Sequence, residues 1–191
     1  MQRNIFISVV ISFLFACTNN DTASKQAPNV TQAAAPTQET SQKSIPSETS
    51  KQVGGTTIKI AYTAPAVRGR VIWGALVPYD KIWVTGAHNA TSLEVGKDFR
   101  VGNKTVPGGK YALFTIPGKE EWTVILNKNW NQHQTDNYKE SEDIVRLKVK
   151  PQTTGQVVER LKYEIDQTGE KTADIIISWE KIRVPFSIEI R

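Results

Sequence analysis

The sequence predicts an all-β fold, an antiparallel β-sandwich of about eight to ten strands. Three observations point there. From Thr57 onward apolar residues recur at every second position, as in Ile58, Ile60 and Tyr62 or Val145, Leu147 and Val149, with polar residues between them. These runs are short and are punctuated by Pro, Gly and Asn, the residues that turns require. No stretch carries a sustained helical period, although Gln156 to Leu161 resembles one. A jelly-roll-like arrangement and a partly closed barrel both fit this pattern.

The chain opens with Arg3 followed by the apolar run Ile5 to Phe15 and small Ala16, the make-up of an export signal over residues 1–16. The run is shorter than the roughly 20 apolar residues that cross a bilayer. Leu14-Phe15-Ala16-Cys17 resembles a bacterial lipobox, and Cys17 is the single cysteine of the chain. Lipidation of Cys17 is therefore expected, with the protein anchored to a membrane of the cell envelope, the outer membrane being the expected one. It would leave the mature domain without a thiol nucleophile, a thiolate metal site or a disulfide.

Residues 17–56 are rich in Thr, Ser, Gln, Ala and Pro and poor in large apolar groups. Such a composition buries too little surface to offset ordering entropy, so a disordered tether is expected, spanning on the order of 35 Å. A single folded domain is expected over residues 57–191. Loss of Arg3 with the signal changes the formal charge from +5 to +4. That excess permits attraction to anionic polysaccharide or lipid, but nothing in it resembles a nucleic-acid code.

Within the domain the strands are read in order. Thr57 to Tyr62 comes first, followed by Thr91 to Val95 and by Phe99 to Val101 before a Gly102-Asn103 turn. Pro107-Gly108-Gly109 opens Lys110 to Ile116, and Pro117-Gly118 closes it. Trp122 to Leu126, Val145 to Val149, Leu161 to Ile165, Ile175 to Trp179 and Val184 to Ile190 complete the set. Between the first two strands lies the segment Arg68 to Thr91, with two of the five tryptophans, Trp73 and Trp83. Strand parity would put Val71 and Trp73 on one face and Ile72 on the other, with both tryptophans in the core. Arg68 and Arg70 are suited to covering a carboxylate. The small residues around His88 and Asn89 suit a backbone that something else approaches closely, or a tight internally bonded turn.

The segment Asn127 to Tyr138 sets Trp130 among Asn129, Asn131, Gln132 and Gln134 with no apolar neighbour. A planar ring amid amides suits stacking on a sugar or another flat ligand; a ring folded back over the open end of the sandwich is the other reading. The candidate ligand-binding residues are Trp130, Asn131, His133, His88, Asn89 and Arg70. If there is a site, the turn Gly86 to Thr91 is one wall and the Trp130 segment the other.

Catalytic signals are weak. His88 and His133 are the only histidines and form no metal-ligand spacing. No nucleophile elbow or phosphate-binding glycine loop occurs, and nothing calls for a metal or another cofactor. The leading expectation is a non-enzymatic binding module for a glycan, a peptide or an envelope protein. The alternative is a hydrolase or metal-assisted enzyme using His88 with Asp80 or Glu94.

Several linked motifs carry a resemblance: Gly69-Arg70, Ile72-Trp73-Gly74, Leu76-Val77-Pro78-Tyr79, Thr85-Gly86-Ala87, Pro107 to Tyr111, Leu113 to Gly118 and Trp122-Thr123-Val124. In this order they resemble the bacterial family catalogued as domain of unknown function 2911. The resemblance implies an exported or lipid-anchored envelope protein and no particular activity. Val84 and His88-Asn89 stand where that family tends to carry Arg and Asn-Glu, which argues against a catalytic role for the segment.

Overall fold

A computed structural model of the chain describes residues 43–191. The expected export signal, Cys17 and the first part of the expected tether lie outside the described residues. Among the latter no helix is long and apolar enough to cross a membrane.

Among the described residues ten strands form two antiparallel sheets, and neither closes into a barrel. They are β1 (Ser44–Val53), β2 (Thr56–Pro65), β3 (Ser92–Val95), β4 (Phe99–Val101), β5 (Lys104–Val106), β6 (Gly109–Ile116), β7 (Trp122–Asn127), β8 (Asp143–Val149), β9 (Gln152–Gln167) and β10 (Thr172–Ile190). The six-stranded sheet has the order β1-β2-β3-β6-β7-β8, and the four-stranded sheet β5-β4-β10-β9. The chain is thus a meander that crosses to the second sheet for the β4–β5 hairpin, returns, and crosses again for β9 and β10.

Strand pairing is already in place from Ser44, ahead of Thr57, so residues 44–56 are not part of a tether. β1 pairs with β2 along its whole length, from Ser44 opposite Pro65 to Val53 opposite Thr56. It is an edge strand of mostly polar side chains, with only Val53 fully buried. Backbone pairing holds such a strand, and Pro46 is tolerated because an edge strand has one unpaired side. A second difference is that Ile175–Trp179 and Val184–Ile190 belong to one strand. β10 continues through two register shifts around Glu180, whose φ is +54°, and a bulge of this kind bends a strand without ending it.

Alternation places Ile58, Ile60, Leu93, Leu113, Val124 and Leu126 of the larger sheet against Leu161, Ile175, Ile177 and Phe186 of the smaller one. At one end of this core four indoles meet. Trp73 lies edge-on to Trp83, Trp122 and Trp179 at centroid distances of 5.8, 4.9 and 5.8 Å. Trp83 stacks on Trp179 at 5.7 Å and 18°. Trp73 arrives on a looped segment and not on a strand, which overturns the parity expectation: Ile72 and Trp73 both turn inward, and Val71 is 72% exposed. The loop is closed by Gly74, whose φ of +82° and contact with the Tyr79 ring leave no room for a Cβ.

A smaller cluster, Val84, Ala90, Ala112, Phe114 and Ile125, sits on the opposite face of β6 and β7. The sheet is therefore apolar on both sides there, and something must cover its outer face.

Trp122→Ala should lower stability by about 3–5 kcal/mol in urea unfolding, because it empties part of the indole cluster. Val71→Ser should change it by no more than about 0.5 kcal/mol.

Candidate functional site

The cover over the outer cluster is the segment between β7 and β8, residues 128–142, packed through Tyr138, whose ring meets Phe114 edge-on at 5.5 Å. Two buried amides hold it in shape. Asn127 Nδ2 donates to the Lys139 carbonyl and to Asp143 Oδ1, while its Oδ1 accepts from Asn129 N–H. Gln132 Nε2 donates to the Asn129 carbonyl at 2.6 Å and its Oε1 accepts from Asn137 N–H. Each amide replaces backbone partners that an irregular segment otherwise lacks.

The second wall grows from an interruption of β3. Asp80 N–H donates to the Pro117 carbonyl, Trp83 bridges Thr115, and Leu113 N–H donates to the Thr91 carbonyl. Residues on either side of 84–90 therefore lie along β6, and the intervening residues loop outward. Gly86 packs so close to Thr91 Oγ1 and the Thr63 carbonyl that a Cβ would stand 2.8 Å and 3.2 Å from them. Ala87 N–H donates to that same carbonyl. Both explanations weighed for these small residues therefore hold: β2 approaches closely, and the turn is internally bonded. Thr85 is fully buried at φ +54°, a costly conformation for a β-branched residue. Its carbonyl accepts from Thr91 Oγ1 and, at 2.7 Å, from the hydroxyl of Tyr163 on the opposite sheet. Burial pushes the Tyr163 hydroxyl well above the ordinary tyrosine range, so it remains a donor.

The two walls meet. Ala90 N–H donates to the Gln132 carbonyl at 3.0 Å, and Gln134 N–H to the His88 carbonyl at 2.6 Å, around an Asn89–His133 bridge. On one side of this bridge is a cleft of about 240 Å³. Its lining includes Ala61 and Ser92, which are directly paired across β2 and β3, so small side chains leave depth there. Asn89, Asn131 and Trp130 stand around it, with Thr63, Tyr62 and Lys110. Trp130 is 40% exposed, and Lys110 Nζ lies 4.1 Å from its ring centroid, a cation–π contact that steadies the ring.

Of the residues singled out in the sequence, Trp130, Asn131 and Asn89 converge on this cleft. His88 and Arg70 line a separate pocket on the other side of the bridge. His133 lines neither; its Nδ1 lies 2.9 Å from Asp136 Oδ2 on the exposed surface. Arg70 covers no carboxylate: its guanidinium donates to the Ala66 and Val67 carbonyls. Near Arg68 the carboxylate bond is made by the backbone, Arg68 N–H donating to Glu159 Oε1.

His88, Asp80 and Glu94 lie in different surroundings. Asp80 is tied to Pro117 through its backbone N–H, Glu94 lines a groove with Lys59 and Gly96, and His88 lines the pocket that holds Arg70. Among the described residues no group of three or more His, Cys, Asp or Glu is placed to hold a metal. Sequence reasoning missed Tyr62, Thr63, Ser92 and Lys110, and named Gln132 only as one of the amides around Trp130. Strand alternation was the available signal for Thr63, Ser92 and Lys110, since each occupies an outward position beside an inward apolar residue.

These features define the class of protein: an all-β sandwich carrying a loop-built polar cleft on the outer face of its larger sheet. The chain belongs to the family described as protein of unknown function (DUF2911), which matches over residues 44–188. No curated protein and no solved structure matches it.

Tyr138 donates from its hydroxyl to Asp143 Oδ2 at 2.7 Å, and burial, with that carboxylate, pushes its pKa from 10.0 up to about 12. Its contribution is present below the unfolded value near pH 10 and is lost as pH rises toward 12. Stability should therefore fall across that window, and Tyr138→Phe should make the fall shallower in urea titrations at several pH values. Gln132→Ala should cost about 1–3 kcal/mol and speed amide exchange in residues 128–138.

Proposed function

We propose that the protein is an exported, lipid-anchored binding module of the cell envelope whose cleft takes a glycan. The observation that carries this reading is Trp130, a half-exposed indole fixed at the rim of a cleft whose lining combines amides, hydroxyls and one ammonium group with Ala61 and Ala90. An indole face packs against the C–H face of a pyranose ring, and amides of Asn89 and Asn131 suit its hydroxyls. Lys110 adds a positive charge, which favours sugars carrying carboxylate or phosphate groups. The anchoring half of the proposal rests on the Leu14-Phe15-Ala16-Cys17 sequence.

Two experiments test it. Trp130→Ala should weaken retention on acidic envelope polysaccharide by about tenfold, with the thermal midpoint unchanged. Equal retention by both proteins would contradict the glycan reading, and a peptide or protein partner would then be sought by crosslinking at Asn131. Cys17→Ser should abolish labelling by an alkynyl fatty acid and release the protein from the membrane fraction; retained labelling would contradict the anchor.

A further inference from the structure

On the far side of the Asn89–His133 bridge lies a second cavity, of about 350 Å³, which the glycan reading does not use. We propose that it binds a small apolar carboxylate. Two features argue for it. Its wall is largely apolar, with the stacked pair Trp83 and Trp179 at its base and Leu76, 47% exposed, at its rim. The ionisable residues in its lining are Arg70, Lys43 and His88, with no carboxylate among them.

The arginine is set for this task. Backbone carbonyls of Ala66 and Val67 take Nη2–H and Nε–H, so the guanidinium is oriented in advance while other N–H groups stay free. Since these carbonyls carry only partial charge, the cation has no carboxylate partner in its side-chain hydrogen bonds. An incoming carboxylate supplies one, and its hydrocarbon or aromatic body covers apolar wall that water now contacts. A neutral apolar molecule would gain the second term alone. A sugar would gain little from either.

Calorimetric titration of the full-length protein with decanoate, decanol and indole-3-propionate tests the proposal. At least one of the two acids should bind, and bind about tenfold more tightly than decanol, with the margin shrinking in high salt. Which acid binds separates an aliphatic from an aromatic ligand. Arg70→Gln should remove the preference for acid over alcohol. Should that variant unfold, Leu76→Asp at the exposed rim should still weaken acid binding about tenfold. Trp130→Ala should leave it unchanged, which separates this cavity from the glycan cleft. Failure of both acids to bind, equal binding of acid and alcohol, or indifference to both pocket variants would overturn the proposal.

Discussion

Two backbone hydrogen bonds hold the functional surface together, those from Ala90 to Gln132 and from Gln134 to His88. They join an outward loop of an interrupted strand to the long connection between β7 and β8. Neither segment has a ladder of its own, so each depends on the other for part of its backbone pairing. The bridge divides the surface into the Trp130 cleft and the Trp83–Trp179 cavity. A change that shifts it should therefore be felt on both sides.

The bridge stands where it does because the sheet beneath is apolar on both faces. β6 and β7 send Leu113, Val124 and Leu126 into the sandwich core, and Ala112, Phe114 and Ile125 outward. Covering the outward set favours folding the 128–142 segment back through Tyr138. On the other side, Tyr163 reaches through the core to the Thr85 carbonyl and holds a left-handed threonine at the root of the turn. The inner face of the small sheet thus helps to position a loop on the outer face of the large one.

Much of the sandwich was legible in the sequence because period-two alternation reports burial directly. β2, β3 and β8 carry it, whereas β6 and β7, buried on both faces, read as nearly continuous apolar runs. β1 was not legible: an edge strand held by backbone pairing needs no apolar face, and its Ser, Glu, Thr and Lys residues match those of a tether. Parity failed at Val71 to Trp73 because a looped segment has no strand period to read. Trp130 was legible for the opposite reason, an indole with no apolar neighbours having little to pack against locally. Its companions Lys110 and Ser92 were hidden, because cross-strand register and loop folding bring them to the cleft from distant places in the chain. Arg70 was read as a partner for a carboxylate, and within the fold it meets carbonyls instead.

The most direct test of the account follows the indole N–H signals of the five tryptophans by two-dimensional NMR while an acidic envelope oligosaccharide is titrated in. The account predicts a progressive shift of the Trp130 signal, accompanied by the side-chain amides of Asn89 and Asn131, with the signals of Trp73, Trp83, Trp122 and Trp179 unmoved. A saturable shift confined to the buried tryptophans, or no shift at Trp130 while the sugar binds, would contradict it.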